Sequence, residues 1–455
     1  MGAKNITTDN NQEKIMDDVS DKKVEVAVDP TELDQEKLAA LKAKLSAKKM
    51  EEPMAAKIME KKSRSINFGI VGSGQSGSRL AECFYKLGYD AVVINTAIQD
   101  LKFIEVPEKN KLFLDYGLGG AAKELEIGKA AAEAYREQIA ELVGAKLGEA
   151  QVHVLTLSLG GGSGAGSCET LVDILSATGK PLVVITVLPM DSEDVQTKSN
   201  ALETLSKLAS MAKSKKISNL VCVDNSKIET IYKDVSQFDF FKVANKAIIN
   251  PIDVFNTLSS MNSDVKPLDP AEFAKLLIDG EGLSVYGEMI VKDYVGETAL
   301  AEAVMNNLDS NLLAAGFDLK QSKYVGVILT APKAVWDKIP ALYTNYALAM
   351  VNEQLGNPKG VFKGIYTVED GTEEVKIYSW FSGLGLPDAR VTQLRNETKA
   401  LAEQVKNKDV QRNLNLTLDT GKSEVATDAQ KIKDKIAAKS SAFGKLMGST
   451  VDKRK

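Results

Sequence analysis

The chain has 455 residues, 44% of them apolar and 26% charged, with a formal net charge of −5. At about 150 residues per domain this is room for two or three compact domains, and the composition excludes a collagen-like, wholly disordered or membrane-embedded chain. Three cysteines without CxxC spacing and a single histidine, His153, leave disulfide frameworks, zinc cages and histidine-based triads almost nothing to work with. Any catalysis must rest on carboxylates, backbone amides and a bound cation.

The first ten residues lack a basic stretch followed by an apolar core, so no secretory leader is expected and the cytoplasm is the default. The longest strongly apolar run, 181–190, is about half of what a bilayer requires. Residues 1–28 are polar and aperiodic and read as disordered. Asp29, Pro30 and Glu32 then mark a helix start, with Leu33, Leu38, Leu41 and Leu45 at roughly helical spacing. Residues 1–65 form an N-terminal extension.

From residue 66 the texture changes. Apolar runs at 66–71, 91–94, 151–159, 182–188 and 220–223 alternate with helical patterns at 79–87, 169–177 and 195–212. This alternation predicts a doubly wound parallel α/β domain over 66–235, with ligands at the carboxyl ends of its strands. His153 is expected as a hydrogen-bonded core residue, and Cys83, Cys168 and Cys222 as buried or idle thiols. A long helix at 238–261, which Pro251 must start, kink or divide, leads through a loop at 262–269 to a short helix at 270–278; these make a central segment, 236–284. Strand signals at 285–291, 324–329, 361–368 and 375–380, with helical stretches at 297–315 and 333–355, predict a smaller α+β domain over 285–386. Helical patterns resume at 387–405 and 427–438, and residues 421–455 carry nine Lys or Arg against four Asp or Glu. The region 387–455 is therefore helical with a basic tail, which reads as an interaction arm.

Two glycine loops carry the chemistry. The first strand runs into Gly72-Ser73-Gly74-Gln75-Ser76-Gly77, a G-x-G-x-x-G whose amides and following helix suit an anion. Dinucleotide-binding dehydrogenases share the pattern but want an acid after the second strand; here Asn95-Thr96-Ala97 stands there, which counts against a nicotinamide-dependent oxidoreductase. The second loop reads Gly160-Gly161-Gly162-Ser163-Gly164-Ala165-Gly166, before a helix expected near Ser167. Glycine costs a helix or strand about 0.5–1 kcal/mol relative to alanine, so five in seven positions imply a need for bare backbone. A row of amides forms an oligophosphate cradle. No Lys-Ser or Lys-Thr follows the glycines, so this is not a Walker A loop, and Mg2+ is expected to supply positive charge.

With GGGSGAG in this place, the chain resembles the tubulin and FtsZ superfamily over about residues 66–386. The resemblance implies a GTP/GDP-binding GTPase that needs Mg2+, with the metal-holding groups left open. It implies that Gly74, Gln75 and Ser76 form the first nucleotide loop, and Asn95 and Thr96 the second, where Ala97 replaces a frequent acid. Gly119, Gly120, Ala121 and Ala122 correspond to the loop that senses the γ-phosphate, and Glu193, in 189–193, to the ribose contact; Thr197 replaces an arginine of FtsZ. Asn225 and Asn245 match the guanine-contacting positions, and an amide has the donor and acceptor for that edge. Asp269 and Glu272 match the acids that complete the GTPase site of the next subunit, although D-P-x-E is also an ordinary helix start. Within the superfamily the chain looks most like phage and plasmid tubulin-like proteins. That implies head-to-tail homopolymers in a bacterial or phage-infected cytoplasm, with a DNA-bound adaptor as partner of the basic tail. An FtsZ-like division GTPase and a GTP-binding protein that does not polymerise remain as alternatives.

Overall fold

The computed structural model describes residues 63–415. The expected helix at 29–45, the helical pattern at 427–438 and the basic tail lie outside these residues.

One ten-stranded sheet organises the described residues, in the order β3-β2-β1-β4-β5-β6-β7-β10-β8-β9. Its first half consists of β1 (Phe68–Ser73), β2 (Asp90–Asn95), β3 (Lys111–Phe113), β4 (Val152–Ser158), β5 (Leu182–Leu188) and β6 (Asn219–Asp224), all parallel. A strand covered on both faces reads as an unbroken apolar run, and LVVITVL of β5 is buried at every position. Successive residues alternate faces: Leu182 and Val184 join the core cluster of Val71 and Leu155, while Val183 and Ile185 join that of Phe68 and Val154. The first cluster is covered by α3 (Leu125–Ala134), α4 (Arg136–Leu147), α5 (Ser163–Ser176) and α6 (Val195–Lys213), and the second by α1 (Gly74–Lys86) and α8 (Phe240–Leu258). Two short helices, α2 (Ile98–Lys102) and α7 (Asn225–Ile231), follow β2 and β6.

The second half is β7 (Leu283–Val291), β8 (Tyr324–Ala331), β9 (Gly360–Thr367) and β10 (Val375–Leu384). Only Leu220 and Val221 of β6 pair with β7, a short parallel seam; β10 then runs antiparallel between β7 and β8. Helix α9 (Pro270–Leu277) leads into β7, and α10 (Ala299–Ser310), α11 (Lys333–Trp336) and α12 (Ala341–Gln354) punctuate this half before α13 (Asp388–Asn415).

Several expectations need correction. The 333–355 stretch is two helices, because Pro340 precedes α12 and cannot continue α11. Strand β3 and helices α3 and α4 had not been foreseen. Helix α5 starts at Ser163, inside the glycine loop, and Pro251 lies within α8. His153 is 1% exposed and neither ring nitrogen makes a well-formed hydrogen bond; burial, then nearby Lys180, outweighs a backbone contact at Gly69 and lowers its pKa to about 4. The three cysteines are free thiols, with Cys168 and Cys222 buried and, by burial, pushed up to about 12. Among the described residues no helix is long and apolar enough to cross a membrane.

Candidate nucleotide site

Two helix N-termini open onto one point at the carboxyl ends of β1 and β4. Helix α1 starts at Gly74, whose φ of +70° suits glycine, and a Cβ there would lie 2.8 Å from Gly164 N in the first turn of α5. Neither helix has a side-chain cap, and Ser73 Oγ is turned to Ser167 Oγ at 2.8 Å instead. By contrast α6, α7 and α9 are capped by Asp194, Asp224 and Asp269. First-turn amides without internal partners, together with two helix dipoles, would suit an anion here.

The glycines of 160–166 divide in a way the sequence did not indicate. A Cβ on Gly160 would lie 2.4 Å from Thr197 Cγ2, on Gly162 2.7 Å from Ala121 Cβ, on Gly164 2.8 Å from Ser73 O, and on Gly166 2.3 Å from Leu125 O. Gly161 would meet only Ser158 Oγ at 3.5 Å. Four of the five are thus required by neighbouring chain rather than by a ligand. Gly161 and Ser163 are the half-exposed positions, while Ala165 is buried.

These contacts bring the expected loops together. Thr96 Oγ1 and Ser163 Oγ are 2.6 Å apart, and Ala121 touches Gly162. Asp100, in the first turn of α2, accepts from Asn95 Nδ2 (3.1 Å) and Gln75 Nε2 (3.4 Å), while Asn95 Oδ1 accepts from Ala97 N (3.2 Å). Ser76 is half-buried beside Gln75. Asp100 was missed because the acid was sought directly after Thr96, not one helical turn later. In the next loop Gly119 and Gly120 have positive φ, and so do Ala122 (47°) and Lys123 (66°), an arrangement that costs non-glycine residues of order 1–3 kcal/mol each. It is held by Asn200 Nδ2 and Gln196 Nε2, which donate to Lys123 O at 2.7 and 3.3 Å. Lys123 Nζ donates to Thr197 Oγ1 (2.9 Å) and pairs with Asp194. A cation therefore stands beside Thr197, where FtsZ carries its arginine, and it comes from a different loop.

The loop 189–193 lies against the start of α7. Asp191 N donates to Ser226 Oγ at 2.8 Å, and that hydroxyl lies 3.0 Å from Asp191 Oδ1. Glu193 is half-buried in this loop, and Asn225 is the first residue of α7. Asn245 lies on α8, against which α7 packs. The side chains of Asn225 and Asn245 make no hydrogen bond within the described residues, so both amides are available to a ligand.

Asp269 and Glu272 are not part of this assembly. Helix α8 carries the chain about 28 Å to the other end of the sheet, where Asn256 bonds Ile66 N and O ahead of β1. The last turn of α9 is fixed there by Asn219 Nδ2, at the start of β6, which donates to Leu277 O at 2.9 Å. Asp269 Oδ1 accepts from Glu272 N (2.8 Å), and Glu272 Oε2 from Asp269 N (3.2 Å), completing a capping box. Burial raises the pKa of the Glu272 carboxyl, against the pull of the Asp269 amide.

Comparison with known proteins agrees with this architecture. The model of the tubulin/FtsZ family GTPase domain matches residues 65–233, and that of the TubZ-like C-terminal domain matches residues 254–395. The tubulin-like protein CetZ of Pyrococcus horikoshii is 24% identical over 323 residues, 69% of this chain and 85% of that protein. The tubulin-like protein TubZ of Bacillus cereus is 24% identical over 370 residues, 75% and 84% of the two chains. Among solved structures, the GTPγS-form protofilament of Bacillus thuringiensis serovar israelensis TubZ superposes with a TM-score of 0.67 at 21% identity, covering 77% of this chain and 96% of that one. A helical model of a two-stranded TubZ filament gives 0.69 at 21% identity, covering 81% and 95%. With the glycine loops at the mouth of a parallel sheet and both domain types matched in order, the chain belongs to the tubulin/FtsZ family, as a GTPase whose nucleotide domain is followed by a TubZ-like C-terminal domain.

Proposed function

We propose that this protein binds GTP at the mouth formed by β1, β4, β5 and β6, assembles head-to-tail, and hydrolyses GTP only where a second copy supplies Asp269 and Glu272. The observation that carries this reading is the setting of the acids: the helix they begin packs on α8, β8 and β10 and ends beside the start of β6, and neither acid has a hydrogen bond or ion pair to the glycine loops among the described residues. In a head-to-tail row each pair would meet the next cradle, a heterologous contact that does not close. Helix amides can hold phosphate, and Glu272, with its raised carboxyl pKa, suits orienting water. Asn225 and Asn245 read guanine, and Glu193 the ribose. Mg2+ takes one or two carboxylates together with phosphates and water; Asp100, beside Gln75 and Asn95, fits that demand and would hold it, and the ion would offset phosphate charge. The wider role is positioning or segregating phage or plasmid DNA in a bacterial cytoplasm, with the basic tail on a DNA-bound adaptor; the TubZ-like C-terminal domain supports this.

Glu272→Gln tests the mechanism. Glutamine still completes a capping box but cannot accept a proton, so GTP turnover should fall by roughly a hundred- to ten-thousand-fold while sedimentation and electron microscopy show filaments that persist. Wild-type phosphate release from assembled Glu272→Gln would leave Glu272 with capping alone.

A further inference from the structure

The loop 189–193 and the first turn of α7 are held by a residue that no motif indicated. Arg390, in the first turn of α13 and 5% exposed, donates through Nε to Asp224 Oδ2 at 2.6 Å. Its Nη2 donates to Asp224 Oδ1 (3.3 Å), Pro189 O (3.2 Å) and Ser226 Oγ (3.2 Å), and Nη1 lies 2.7 Å from Asp191 Oδ1. One guanidinium thus joins the start of the loop that carries Glu193 to both the cap and the second residue of the helix that begins with Asn225.

The fit depends on the planar fork, since an ammonium cannot reach these acceptors together. The seat is close as well: a Cβ on Gly316 would lie 2.9 Å from Arg390 N. A second tie runs two turns along α13, where the buried Lys198 donates to Asp191 O (2.7 Å) and to Glu397 Oε2 (2.8 Å). Because the Asn225 side chain has no hydrogen bond of its own, its direction is set by the backbone of α7, which Asp224 and Arg390 fix. No hydrogen bond or ion pair within the described residues links Arg390 to the glycine loops.

We infer that Arg390 is a positioning residue for the guanosine end of the site, and that through it the seating of α13 is coupled to guanine selectivity. This rests on the proposed reading of Glu193 and Asn225 as nucleoside contacts. Coupling of this kind is reciprocal, so bound GTP should in turn hold α13 in place.

The test uses the full-length chain and competition binding of GTP and ATP. Arg390→Met should weaken GTP by roughly tenfold, the scale of one or two misdirected hydrogen bonds, and ATP by only about threefold, because ATP shares the ribose contact of Glu193 and the phosphate cradle but not the base contacts. Arg390→Lys should recover part of the preference. A merely structural role would lower the active fraction for both nucleotides and leave their affinity ratio unchanged; that result overturns the inference. Should Arg390→Met not fold, Asp191→Ala at the exposed edge of the same ring should cut the preference about threefold, the scale of a partly exposed ion pair, and an unchanged preference in folded Asp191→Ala and Arg390→Lys again overturns it. Asn225→Ala separates the two levels. If it abolishes the preference and the Arg390 variants do not, only the positioning role fails; if wild type itself lacks a preference, or Asn225→Ala keeps it, the base assignment fails and the inference with it.

Discussion

The two ends of the candidate nucleotide site are built by different means. At the phosphate end, backbone meets backbone: Gly74 against Gly164, Gly162 against 121–124, and Gly166 against Leu125 and Gly128. At the nucleoside end, a buried charge, Arg390, gathers carboxylates and a carbonyl from segments as much as 201 residues away. The first construction belongs to the nucleotide domain alone. The second makes that domain's ligand loop depend on a helix of the C-terminal region.

The most severe way to break this contrast is Asp224→Ala. It leaves the Arg390 guanidinium buried without its main partner and should cost about 3–5 kcal/mol, read as a fall in the urea midpoint at unchanged slope. A loss below about 1 kcal/mol would mean that Arg390 escapes to solvent and that the nucleoside end is not built on it. At the phosphate end, Gly164→Ala sharpens the comparison through its sign. In an ordinary first helical turn alanine would gain up to about 1 kcal/mol over glycine, but here its Cβ would stand 2.8 Å from Ser73 O, so a net loss of roughly 1–3 kcal/mol is expected. Gly161→Ala, with only Ser158 Oγ at 3.5 Å, should melt within about 0.5 kcal/mol of wild type. Equal effects from the two would remove the claim that packing, not ligand approach, sets these glycines.

The smallest effect is expected between the two ends, at Lys123 and Asp194. Burial pushes the Asp194 carboxyl up, but Lys123 and the Thr197 amide outweigh it and hold it at about 2. A depressed carboxylate contributes stability above its ordinary value of 3.8 and loses it as pH falls toward 2. Lys123→Met should therefore raise the Asp194 midpoint toward 3.8, measured by carboxyl-carbon NMR, with little change in stability at neutral pH because both partners are half-exposed. A midpoint that does not move would assign the depression to the helix cap alone.

The sequence was most informative where structure is local. Continuous apolar runs separated by helical periods gave β1, β4, β5 and β6 within a residue or two, since burial on both faces leaves a mark in each strand itself. The glycine loops were equally plain, although the reason for most of their glycines was not: whether a missing Cβ serves a ligand or a neighbouring backbone depends on what lies opposite. Strand β3, three half-buried residues at the sheet edge, carried too little pattern to register. Helix α3, LEIGKAAAEA, has few large apolar residues to mark a buried face.

By itself, then, the sequence determined the fold class, the order of the loops and the D-P-x-E cap, each written in neighbours at most a few residues apart. Tertiary structure decided that Asp100 meets Asn95 and Gln75, that Lys123 stands beside Thr197, and that Arg390 holds the loop that carries Glu193 and the helix that begins with Asn225. Each of these is a meeting of polar groups across a fold, and a buried charge or amide leaves no periodicity in sequence. Its partner is set by where the chain returns, and only the packed sheet fixes that.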